Sequence, residues 1–148
     1  MEELGGSLEP RSSLPLQVAI WLDGHITSLL TVIVLGLLVI KPFFLNYPQG
    51  IAQGEFALMA LHFVVQGARN WLGTAGNKQE RVSFLALFLW LTVWTTLVTG
   101  YFWKSQTYGL ALETGLAAAA CGLAALETLV GGLAAITFCE SLRGALVV

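Results

Sequence analysis

Residues 61–81 read LHFVVQGARNWLGTAGNKQER. The stretch begins with the apolar content of a helix that dissolves in lipid and ends as a polar connection. Inside the apolar part stand His62, Gln66 and Arg69, with Glu55 a short distance upstream. In a water-soluble helix such a mixture needs no explanation. In lipid it does, and the explanation decides the fold.

At 100° per residue, Glu55, His62, Gln66 and Arg69 fall within about 60° of one another on a helix. They therefore form one polar stripe rather than a scatter. Ionisable groups at membrane depth are costly, and they turn toward a bundle interior or toward each other. The stripe marks the inward face of a helix that must have neighbours.

The remainder of the chain supplies them. The 148 residues are 56% hydrophobic and 11% charged, against roughly 25% charged in ordinary soluble chains, and the mean hydropathy is +0.76. A net charge of −2 leaves no basic footprint for nucleic acid. Four stretches reach the roughly 20 apolar residues that a membrane crossing needs, at about 16–40, 51–72, 83–103 and 110–139. The third has no charged residue, whereas the first carries Asp23 and His25, and the fourth Glu113 and Glu127. Polar breaks containing Pro42, Pro48, Gly73 and Gly76 separate them. The expected fold is all-α, an integral membrane bundle of four antiparallel transmembrane helices. A single domain over 14–140 is expected, between a flexible N-terminal tail of 1–13 and a C-terminal tail of 141–148. The acidic start MEELGGSLEPRSS lacks the positive n-region of a cleavable signal peptide, so the first apolar segment is read as retained.

Orientation follows from lysine and arginine placement. With four spans, Arg11, Arg69, Lys78, Arg81 and Arg143 share one side, and Lys41 and Lys104 the other. Both termini are expected in the cytoplasm. Trp21 and Trp71 then fall at the inner interface, and Tyr47, Tyr101, Trp103 and Tyr108 at the outer one, as aromatic belts.

Glu55 and Arg69 are 14 residues apart, and so are Glu113 and Glu127. The second and fourth spans run in the same direction. Bringing Glu55 and Glu113 to one outer level brings Arg69 and Glu127 to one inner level. Arg69 and Glu127 are therefore expected to pair inside the bundle, with Glu55, His62 and Gln66 completing a structural polar core. Asp23, beside Gly24, reads as a turn or interfacial group. The fourth span is rich in small residues, and Gly115, Gly122, Gly131 and Gly132 are expected to set close helix contacts. The basic GTAGNKQER segment reads as a cytoplasmic docking loop, with Gly73, Thr74, Gly76, Asn77, Lys78 and Arg81 as its residues, although Lys78 and Arg81 serve equally as topology determinants.

No catalytic set assembles. Cys121 and Cys139 are 18 apart, outside any zinc or redox spacing, and read as inert buried thiols. His25 and His62 fall at different depths and cannot share a metal or haem. No nucleophile–base pair or phosphate-binding glycine loop is present, so no enzyme, metal or cofactor is expected. The intramembrane Glu, His and Arg set leaves a second reading open, a small transporter or proton-conducting protein.

A series of short motifs follows one order: SSLPLQ entering the first span, LDG within it, Lys41, YP at 47–48, Arg69, GTAGN at 73–77 and Arg81. It continues with QTY at 106–108, LALE at 110–113, CG at 121–122 and Glu127. Over about 12–140 this order resembles the small tetraspan family of transmembrane proteins 17, 80 and 216, and looks closest to its 216-like branch. The fourth span departs from the pattern in its alanine- and glycine-rich run. The resemblance implies a ciliary protein of the transition zone, in the Meckel syndrome module with tectonics, related tetraspans, B9-domain proteins and coiled-coil scaffolds. It also implies a role in ciliogenesis and in the diffusion gate for ciliary membrane proteins, and it carries over no catalytic residue.

Overall fold

Ser13 opens the first helix: its side chain accepts a hydrogen bond from the Leu16 amide at 3.4 Å, and proline occupies the first turn. The computed structural model describes residues 12–146. They form α1 (Leu14–Phe44), α2 (Ile51–Gln79), α3 (Val82–Lys104) and α4 (Ala111–Leu146). Residues 1–11 of the expected N-terminal tail, and 147–148, lie outside the described residues.

The helices pack as a ring. α1 lies against α2 and α4, and α3 closes the other side against the same two. Helices α1, α3 and α4 each contain a window long and apolar enough to cross a membrane. By composition α2 does not, because its stripe is polar. Its buried face runs through Glu55, Met59, His62, Gln66 and Arg69 to Gly73, Gly76 and Asn77, while Phe56, Leu61, Phe63, Val64 and Trp71 face outward. Helix α2 is thus apolar where it meets lipid and polar where it meets the bundle, and the fold is an all-α membrane bundle.

Several sequence expectations do not hold. First, the GTAGNKQER segment is not a loop: residues 73–79 continue α2, and the connection to α3 is only 80–81. The glycines there act as packing residues. A Cβ on Gly73 would stand 2.7 Å from Phe88 Cδ2 and 2.8 Å from Ile20 Cδ1, and one on Gly76 would stand 3.0 Å from the Leu85 amide nitrogen. The turn itself falls to Glu80, whose φ of 53° is left-handed. Second, Pro42 lies inside α1, and α4 continues through most of the expected C-terminal tail, to Leu146. No proline follows Pro48 to stop it. Third, Gly115, Gly122 and Gly132 have open space where a Cβ would be, and only Gly131 of the four meets neighbours, Leu89 and Phe88 at 3.3 Å.

The buried face of α4 is instead Glu113, Ala117, Ala120, Ala124, Glu127, Gly131, Ala134 and Phe138. These positions advance by four and three residues in alternation, the period of a left-handed helix seam. Alanine, with its single methyl, sets the close approach. Cys139 is exposed, contrary to expectation, while Cys121 is partly buried.

Two apolar clusters result. One holds Leu16, Ile20, Leu85, Phe88, Ala134 and Phe138. The other includes Leu30, Val34, Leu38, Met59, Val98 and Phe102. Between them lies a polar layer.

Candidate functional site

That layer centres on Arg69, which is 1% exposed. Helix α2 places it there because the stripe's only other neighbours would be lipid. Its Nη2 donates to Oε2 of Glu127 on α4, and its Nη1 donates to Oδ2 of Asp23 on α1 at 2.8 Å. Nη1 also reaches Gln66 Oε1 at 2.9 Å, and Nε donates to Thr92 Oγ1 of α3 at 3.0 Å. One guanidinium therefore ties all four helices. Its flat face lies over the Phe88 ring, 5.1 Å from the centroid.

Asp23 is the central residue that the sequence reading assigned elsewhere. It is 2% exposed, and besides Arg69 it accepts from Gln66 Nε2 and from Thr27 Oγ1 at 3.3 Å. A legible signal existed: Leu16, Ile20, Asp23, Thr27, Leu30 and Val34 recur at spacings of four and three and are all buried. Asp23 sits in the apolar seam of α1, so it faces the core. Formally the layer holds two carboxylates and one guanidinium, in surroundings where charge is tolerated only when paired and hydrogen-bonded. A void of about 10 Å³ beside Asp23, Thr27, Gln66, Thr95 and Thr99 matches a single water molecule in size.

Glu55 and His62 do not join Arg69 in this network, although they share its stripe. The 14 residues from Glu55 to Arg69 correspond to about 21 Å of helix. Glu55 belongs to a second layer near the other end. Its Oε1 accepts from Tyr101 Oη at 3.0 Å and from the Thr107 amide and hydroxyl at 2.9 and 2.8 Å, while Tyr47 Oη donates to Oε2 at 3.4 Å. In the same layer Lys41 Nζ donates to Glu113 Oε2 at 2.5 Å and to the Tyr108 carbonyl at 2.7 Å. Burial, and next the nearby Glu55 carboxylate, push the Tyr47 phenol up to about 12. His62 is fully buried, and neither ring nitrogen has a hydrogen-bond partner among the described residues.

A third polar contact closes the opposite end. Asn77 Oδ1 accepts from the Ser13 amide, and Asn77 Nδ2 donates to the Ser13 carbonyl, both at 2.8 Å. A residue expected to dock a partner instead holds the start of α1 against the end of α2. Lys78 and Arg81 remain exposed, and Thr74 Oγ1 accepts from Gln17 Nε2 at 3.4 Å.

Chemically, the Arg69 network can fix helix register: its bonds are made only when all four helices stand at one relative height. A group of three or more His, Cys, Asp or Glu side chains able to hold a metal ion is absent among the described residues.

Residues 18–124 match the family model Transmemb_17, described as a predicted membrane protein. Transmembrane protein 216 of Bos taurus is 29% identical over 102 residues, 69% of this chain and 72% of that protein. The Homo sapiens protein of the same name is 28% identical, over 69% of this chain and 70% of its own. No solved structure matches the chain.

Proposed function

Given that the chain belongs to the Transmemb_17 family of membrane proteins, we propose that it is a non-enzymatic membrane subunit of a ciliary transition-zone assembly. In this reading it supports ciliogenesis and the diffusion gate that controls entry of membrane proteins into the cilium. Both termini are cytoplasmic. Its partners are tectonics, related tetraspans, B9-domain proteins and coiled-coil scaffolds, as the family resemblance implies.

The observation that carries the proposal is the engagement of the membrane-depth charges with one another. Arg69, Asp23 and Glu127 form one set, and Lys41 and Glu113 another. Such groups hold the bundle in one arrangement. What the bundle offers to other molecules is then its lipid-facing helix surfaces, its short connections and the exposed Lys78 and Arg81. A part of a larger membrane assembly needs those features.

A C-terminally tagged protein in ciliated cells tests this directly. The expected pattern is a tight ring at the ciliary base that disperses for Arg69→Leu. Uniform signal over the plasma membrane or internal membranes overturns it.

One observation favours a second reading, proton or ion conduction: His62, whose ring nitrogens have no partner among the described residues, lies on the stripe between the Arg69 layer and Glu55. Pyranine-loaded liposomes distinguish the two. Proton flux that collapses in Glu127→Gln, with folding intact, selects conduction.

A further inference from the structure

At the end of the bundle away from the chain termini, the close of α1 and the opening of α2 enclose a pocket of about 480 Å³. Leu38, Pro42, Leu45 and Phe56 form apolar walls, and Asn46, Gln49 and Gln53 add polar residues. From Leu38 to Phe44, the last residue of α1, is about 9 Å of helix. Over that height Ile40, Phe43 and Phe44 stand 51%, 83% and 82% exposed. Side chains so apolar and so exposed, on a helix that crosses the membrane, meet acyl chains rather than water. The lower part of the pocket therefore lies at hydrocarbon depth, and the polar connection 45–50 lies at headgroup level.

The fold holds these walls in place. Tyr47, which also lines the pocket, donates its hydroxyl to Glu55 at 3.4 Å and packs its ring on Tyr108, 5.0 Å between centroids. Tyr108 Oη donates to the Asn46 carbonyl at 3.2 Å, and the Tyr47 amide donates to the Leu45 carbonyl at 2.9 Å. Pro42 and Pro48 contribute rings with a fixed backbone torsion. Gln49 and Gln53 are exposed, and their amides have no hydrogen-bond partner among the described residues. Among the described residues, none that lines the pocket carries a charge.

We infer that this pocket binds one sterol molecule, with its hydroxyl at the amides of Gln49 and Gln53 and its fused rings against Leu38, Pro42 and Phe56. The absence of charge argues against a phospholipid headgroup. Lys41, next to Pro42 in the chain, is 4% exposed and already bonded to Glu113 and to the Tyr108 carbonyl. Rigidity argues against an acyl chain, which loses rotational freedom between fixed walls, whereas fused rings have little to lose. Length argues against a partner helix, because 9 Å is less than two helical turns. A sterol hydroxyl both donates and accepts, and so does an amide side chain. One such group at headgroup level, above a rigid apolar body, matches the pocket's polarity from top to bottom.

The full chain in phosphatidylcholine vesicles tests this, independently of the ciliary reading, because binding is measured there without any cilium. The probe is a cholesterol analogue carrying a diazirine on its rings and an alkyne for detection. Photolabelling is expected within 38–56 and is expected to be displaced by excess cholesterol. Epicholesterol, with the hydroxyl inverted, is expected to displace it about three- to tenfold less well, the scale of one hydrogen bond. Ala52 lines the pocket, so Ala52→Leu is expected to fill it and abolish the labelling. Gln53→Ala is expected to weaken labelling about three- to tenfold, and helical circular dichroism is expected to be unchanged in both variants. Label spread evenly over the lipid-facing sides of α3 and α4 overturns the inference. So does label within 38–56 that a glycosphingolipid or phosphatidylserine displaces and cholesterol does not, or label that both variants leave intact.

Discussion

Arg69 of α2 and Glu127 of α4 meet across the diagonal of the helix ring. Neither helix packs extensively on the other; α1 and α3 stand between them. The pair is therefore a bond through the middle of the bundle, and Asp23 and Thr92 draw the two intervening helices to the same guanidinium. Breaking one partner strands a buried charge, which is the costly way to lose such a contact.

Arg69→Leu is accordingly expected to destabilise the protein by about 3–5 kcal/mol, because Asp23 and Glu127 stay buried without their cation. Denaturant unfolding in detergent micelles, followed by tryptophan fluorescence, gives the number. The triple change Asp23→Leu, Arg69→Leu and Glu127→Leu is expected to recover much of the loss. If the triple variant is as unstable as the single one, lost packing rather than stranded charge is the cause.

Gly73 and Gly122 make a contrasting pair. Alanine at Gly73 drives its methyl into Phe88 and Ile20 and is expected to cost about 1–3 kcal/mol. Alanine at Gly122 meets nothing within 4 Å and is expected to be neutral or slightly stabilising through helix propensity. Equal effects at the two sites would refute the packing assignment.

Lys41→Met leaves Glu113, which is fully buried, with the Leu110 amide as its remaining donor. The first turn of α4 is expected to loosen while the Arg69 layer stays closed. Hydrogen exchange checks this: protection should fall around 108–116 and hold around 124–130.

Tyr47 supplies a pH dependence. Its phenol is raised from 10.0 to about 12 by burial and by Glu55, so folding favours the protonated form. The resulting stability is fully present below pH 10 and is lost as pH rises from 10 toward about 12. Ultraviolet titration should show tyrosinate absorbance appearing late, and Tyr47→Phe should reduce that late component. Titration of every tyrosine near its ordinary value would contradict the Tyr47 contact with Glu55.

Asn77→Ala removes the clasp on Ser13. The start of α1 is expected to fray, read as faster amide exchange over 16–20, at a cost of about 1–3 kcal/mol for the buried groups left unpaired.

Composition and period made the helices and their inward faces legible. The stripe of Glu55, His62, Gln66 and Arg69 was readable because helical spacing alone puts those residues on one face, and lipid forbids that face from pointing outward. The matched separations of 14 residues likewise placed Arg69 level with Glu127. These are properties of single helices and of a shared depth scale, and one chain contains both. What the tertiary structure decided were the relations between helices. Glycine marks a turn when it stands alone, yet at Gly73 and Gly76 its missing side chain makes room for Phe88, Ile20 and Leu85, which come from other parts of the chain. Small residues fill α4 on nearly every side, and only its neighbours select Ala117, Ala120, Ala124 and Gly131 as the contact seam. Asp23 reads as interfacial beside Gly24 until α2 brings Arg69 and Gln66 within hydrogen-bonding reach. A side chain's period tells which way it faces; whether it meets lipid, water or a guanidinium depends on what packs there.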